Sequence, residues 1–334
     1  MKNILLLCLF AFIMVSCKKD GKDGDPFPDS FSEAILKDYF VTAIAFDKAG
    51  TAWLGTLNQG LIKYDGSSTV VYDSTNSIFS KAVISDIKID KKGNIWVGSD
   101  DLIRYDGSKF TRIDAKSFGL PRNHVQTIAI DSKDNVWFSC SSFRSGGLVK
   151  YDGTTFTTFT PQNSKIPGNM VQSLAVDGED RLWIAVNDAV NTTALVKIEN
   201  GQLQIYRGKE IGVDSYYYGN IVTNKQNELV ASINYMLSSN MVTGRPQIFK
   251  FNGKKADVLN LPNENVVIYQ THKIFVDSRD YVWASFFGDQ NYGVSKDGEW
   301  NLRNLDTEGI FAFCESPRET IWLGTSKGVF ILKQ

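Results

Sequence analysis

The sequence predicts an all-β protein, a seven-bladed β-propeller of four-stranded antiparallel blades whose ring is closed by an N-terminal strand. Three observations carry that expectation. A unit built around one Trp returns along most of the chain at intervals of 39 to 53 residues, the range of propeller blades. Asp-x-x-Gly and Tyr-Asp-Gly turns punctuate the units, as tight connections between antiparallel strands require. No stretch keeps a helical period of apolar residues.

The first unit sets the pattern. Ile44 and Phe46 alternate as one face of a first strand, and Asp47 to Gly50 form a turn. A second strand carries Trp53 and then small residues where blades must pack closely. A third strand, Leu61 to Tyr64, ends in the Asp65-Gly66 hairpin signal, and a β-branched or aromatic fourth strand completes the blade. Trp96, Trp137, Trp183, Trp283 and Trp322 mark further copies and are expected in the core between blades. The fifth copy is degenerate. Ile221 to Asn224 stands for its first strand, Val230 occupies the Trp position, and Ile248 to Phe251 is its third strand. Because that unit is so altered, a count of six or eight blades stays open at this stage. The seventh unit stops after its third strand at Leu332, and Phe31 to Leu36, which precedes the first unit, is expected to supply the missing outer strand. The repeated Asp47, Asp90, Asp131, Asp177 and Asp277 are read as turn caps rather than calcium ligands, since no dense carboxylate loop surrounds any of them.

Residues 1–16 read as a signal peptide: Lys2 is followed by an apolar run from Ile4 to Val15, too short to span a ~30 Å hydrocarbon core. Met14-Val15-Ser16-Cys17 resembles the lipobox of bacterial lipoproteins, which implies acylation of Cys17 and a membrane contact made only through that lipid anchor. A plain secretory signal with an incidental Cys is the other reading. The polar, Gly- and Pro-containing stretch 17–30 reads as a flexible tether and 31–334 as the propeller. The expected address is the outer membrane, with the periplasmic and cell-surface sides undecided. Of the 334 residues, 36 are Lys or Arg and 37 are Asp or Glu, so no basic surplus exists to neutralise nucleic-acid phosphates. Cys140 and Cys314 fall in blades that are not neighbours and are expected as two separate buried thiols.

The repeat resembles the two-component-regulator propeller repeat, with the first, second and seventh units matching best and residues 31–334 covered. Streptogramin-lyase propellers are a more distant likeness. The first resemblance implies a sensing propeller of the kind that detects glycans or other nutrients, here expected without a following kinase module.

The site is expected on one face. Loops joining first to second and third to fourth strands are uniformly tight, so that face reads as structural. The opposite face carries the second-to-third connections, which are minimal in blades one, two and seven but longer in blades three to six: Ser141 to Gly146, Asn187 to Ala194, Asn234 to Gln247 and Phe287 to Tyr292. Candidate ligand-binding residues there are Arg122, His124, Phe143, Arg144, Asn187, Tyr217, Tyr235, Arg245, His272, Phe287 and Tyr292. Aromatic, amide and guanidinium groups suit a carbohydrate or an extended peptide. Non-catalytic ligand binding is the leading function, with no cofactor and no metal. A metal-dependent lyase or glycan-active enzyme on the same face, with His124 or His272 as base and Glu264 as the nearest Glu to His272, is one alternative. A scaffold for other envelope proteins is the other.

Overall fold

A computed structural model describes residues 31–114, 117–120, 124–140, 146–187, 193–213, 217–235, 246–262 and 267–332. The expected ring forms with seven blades. Their innermost strands are Val41–Phe46, Asp86–Ile89, Val125–Ile130, Met170–Val176, Tyr217–Thr223, Ile268–Val276 and Ile310–Glu315. Six blades are four-stranded antiparallel meanders in sequence order, and the seventh has three regular strands. Its outer position is filled by Phe31–Ile35, which pairs antiparallel through isolated bridges Phe31 to Leu332 and Ile35 to Val329. The Ile35 and Val329 backbones exchange two hydrogen bonds of 2.9 Å. The expected closing strand is therefore present as a broken edge rather than a continuous ladder.

The recurring Asp explains the recurring Trp. In blade four, Asp177 Oδ1 accepts from the backbone N–H groups of Glu179 and Arg181, closing the turn, while Oδ2 accepts from the Trp183 indole at 2.9 Å. Asp47, Asp90, Asp131 and Asp277 do the same for Trp53, Trp96, Trp137 and Trp283. One carboxylate thus fixes a turn and orients the large side chain packed between blades, through charge-assisted bonds worth ~1.5–3 kcal/mol each. The degenerate fifth unit changes both members together. Asn224 still caps its turn through Oδ1, and Val230, which offers no indole, fills the interblade core. In blade seven Ser316 caps and Trp322 donates to Thr320.

The tight-turn face is occupied by its own bonding. Residues at the turn corners reach the preceding blade: Asp134 accepts from Lys91 N–H, Asp180 from Ser132, Asn227 from Gly178 and Asp280 from Lys225. Glu315 continues this girdle by accepting from Ser278. Tyr-Asp-Gly hairpins close themselves similarly, with the hydroxyl groups of Tyr64, Tyr105 and Tyr151 donating to Gly66, Gly107 and Gly153 carbonyls. Hydrogen bonds from the following Ser and Thr hold the Asp65 and Asp152 carboxyls well below the usual range; backbone and side-chain bonds from Lys109 and Ser108 take Asp106 to about 2. Cys140 and Cys314 are free thiols on separate blades, as expected, both pushed up to about 12 by burial. Cys140 is buried, whereas Cys314 is only partly so.

Candidate functional site

The inner strands of all seven blades surround a central channel of about 540 Å3. Its mouth on the loop-rich face lies where these strands begin. Four aromatic rings form an arc there across blades six, seven and one. Phe287 lies 5.1 Å from the His272 ring, His272 lies 5.0 Å from Phe311, and Phe311 lies 4.5 Å from Phe40. Phe287 is 39% exposed, and Val267 and Tyr269, close by across the strand pair, are exposed as well. An exposed aromatic of this size on a strand end is available for stacking against a ligand.

His272 is held in one chemical state. Its Nδ1 lies 3.1 Å from the Ile310 carbonyl oxygen, which can only accept, so Nδ1 carries the proton and Nε2 is the acceptor. Burial, reinforced by the neighbouring Lys273 ammonium, pushes its pKa down to about 4 against the opposing pull of that hydrogen bond. At neutral pH it is an uncharged ring with one hydrogen-bond acceptor.

The other expected site residues divide. Tyr217 begins the inner strand of blade five, its hydroxyl donating at 2.9 Å to Oε1 of the channel-lining Gln172, and burial pushes its phenol up. His124 immediately precedes the inner strand of blade three, with Nδ1 3.6 Å from Asp100. Asn187 is a correction. It is 1% exposed and bridges blades four and five, donating to the Tyr218 carbonyl and accepting from the Tyr218 N–H, both at 3.0 Å. Asn234 repeats that device toward Thr271 of blade six. An amide matches a peptide unit with one donor and one acceptor, and these two serve as interblade staples. Tyr235 is buried. Tyr292 is also corrected: at 4% exposure it packs in the core with Trp283 and meets Phe31 edge-on at 5.9 Å. Arg122, Phe143, Arg144 and Arg245 lie outside the described residues, as do Glu264 and Cys17. Among the described residues no three His, Cys, Asp or Glu side chains converge as a metal site would require.

Sequence reasoning missed Phe40, Phe311, Lys88 and Lys273, the last two lining the channel. A signal was present. In a half-buried strand the polar alternate positions face water, but in the innermost strand of a propeller that water is the channel. Lys88 and Lys273 are charged residues on innermost strands.

The sequence model of the two component regulator propeller family matches residues 77–101, the second blade's inner half. No curated protein matches the chain in sequence. The extracellular domain of a B. thetaiotaomicron protein described as a hybrid two component system superposes with a TM-score of 0.70 at 16% identity, over 91% of this chain and 40% of that one. This chain therefore spans about two fifths of that extracellular domain. Streptogramin B lyase superposes with a TM-score of 0.69 at 14% identity, over 91% of this chain and 96% of that one. YCF48 bound to D1 peptide gives 0.64 at 12% identity, over 93% and 96%. No helix among the described residues is long and apolar enough to cross a membrane. The chain is a seven-bladed propeller whose second blade matches the two component regulator propeller model, and its fold is similar to that found in the extracellular domains of two component systems.

Proposed function

We propose that this chain is an extracellular or envelope-associated lipoprotein, anchored through Cys17, that binds a carbohydrate or peptide at the channel mouth without catalysis. The observation carrying this reading is the aromatic arc from Phe287 to Phe40 over an open polar channel. A sugar presents apolar C–H faces to such rings and hydroxyl groups to acceptors such as His272 Nε2. Likeness to extracellular sensor propellers supports the address, and the peptide-bound neighbour supports a peptide as the second ligand class. The enzyme reading has a lyase among its structural neighbours, but an imidazole with a pKa of about 4 is a weak general base at neutral pH.

A thermal-shift and calorimetric screen of oligosaccharides and short peptides tests the reading. A ligand at 100 times its Kd should stabilise the fold by ~2.7 kcal/mol. In Phe287→Ala, affinity should fall roughly tenfold with the melting temperature of the free protein little changed, because the ring is exposed. Binding unaffected by Phe287→Ala would remove the arc from the site, and turnover of a bound ligand would favour the enzyme.

A further inference from the structure

We propose that the channel is a carboxylate site, in which Lys273 anchors the acidic group of a ligand whose body lies on the aromatic arc. The inference rests on the binding reading above and narrows its ligand to an acid.

The channel's charges do not balance. Asp86, Lys88 and Lys273 are the charged residues among those lining it. Strand register puts Asp86 and Lys273 at one level of the ring: Asp86 pairs with Gly98 and Lys273 with Ser285, the position at which Ala43 pairs with Gly55 and Ala312 with Gly324. Two cations therefore surround one carboxylate.

That carboxylate is already committed. Asp86 Oδ1 accepts from the Ile87 N–H at 2.9 Å and from Lys88 Nζ at 2.6 Å. Its Oδ2 accepts from the Ile128 N–H at 2.8 Å and from the Thr127 hydroxyl at 3.3 Å. Lys88 thus has its counter-ion, and blades two and three are tied together by the same group. The Lys273 ammonium, by contrast, has no hydrogen-bond or ion-pair partner among the described residues. Burial pushes it below the ordinary lysine value, and Asp86 offsets part of that shift. An ammonium with three donors and no acceptor in a confined space is held at a cost that an entering anion would relieve.

The surroundings suit a carboxylate. Gln172 accepts from Tyr217 through Oε1, which leaves its NH2 to donate into the channel it lines. A volume of about 540 Å3 lies within the ~300–1,000 Å3 range of ligand cavities, so an acidic sugar or a peptide terminus fits with room for water. Lys273 follows His272 directly, so the acid and the stacked body of one ligand would meet adjacent residues.

Two ligand pairs test this by calorimetry near neutral pH: galacturonate oligomers against their neutral galactose counterparts, and a free-acid peptide against its C-terminal amide. The proposal expects at least one acid to bind about tenfold or more tighter than its neutral partner. In Lys273→Met that preference should shrink to within about twofold. Lys273→Gln provides a second variant, and the melting curve of each confirms folding. Which pair responds distinguishes a uronate from a peptide carboxylate. Equal binding of acid and neutral partners, an acid preference that survives both substitutions, or no binding by any acid would overturn the carboxylate site. Neutral-ligand binding that still depends on Phe287 would then leave the broader reading standing.

Discussion

At the residue scale, the molecule uses small polar groups in paired roles. Each turn Asp caps a backbone corner and holds an indole, and Asn187 and Asn234 staple successive blades. His272 is the residue whose chemistry bears most on the proposed binding. Its folded pKa of about 4 lies below the ordinary 6.5, so the unfolded chain takes up the proton first as pH falls. The stability it contributes is complete above pH 6.5 and is lost as pH falls toward 4. An NMR titration of the His272 ring should therefore show a midpoint near 4, and ligand affinity should stay flat between pH 8 and 5.5 as far as this ring contributes. A midpoint near 6.5 would mean that the ring is hydrated and charged in mild acid, with Nε2 a donor rather than an acceptor.

At the element scale, ring closure depends on close backbone approach in the seventh blade. Gly328 has φ of +92°, and a Cβ there would meet the Ile35 carbonyl oxygen at 2.3 Å and that of Leu36 at 2.6 Å. Gly324 admits Val41 of the first blade in the same way, a Cβ meeting its Cγ1 at 2.9 Å. Gly328→Ala should destabilise the fold by about 2 kcal/mol in urea unfolding and raise amide exchange at Ile35 and Val329 first. A neutral effect would mean that the N-terminal segment contributes little to closure. The strand pattern was legible because each blade repeats one local rule: apolar alternation, a capped turn, a Trp. Even the degenerate fifth blade could be placed, since Ile221 and Ile248 keep the spacing where Val230 drops the indole. The broken N-terminal edge was legible only as a missing partner, because bridge geometry depends on how Gly328 meets Ile35 and Leu36 in space.

At the scale of the whole molecule, the ring gathers first strands from all seven blades around one channel, and this is where sequence reasoning was weakest. His272 and Phe287 were candidates on loop and junction position alone. Phe40 and Phe311 were not, because they belong to blades with short connections and join the site only across the ring. Asn187 and Tyr292 were misplaced for the converse reason: each borders a long connection, yet one is turned into a blade junction and the other into the core against Phe31. A surface polar residue and a buried staple have the same composition and differ in what faces them. The two faces also differ in kind. The tight-turn face spends its donors and acceptors on a girdle between blades, whereas the loop-rich face leaves an aromatic arc and a lysine unpaired among the described residues around an opening. The proposed ligand recognition lies at that opening, and a crystal structure of the protein with the tightest ligand from the screen would show where the ligand sits. Density is expected stacked on Phe287 and Phe311 with the ligand's polar end in the channel; density confined to the tight-turn face or the outer blade rim would move recognition away from this mouth.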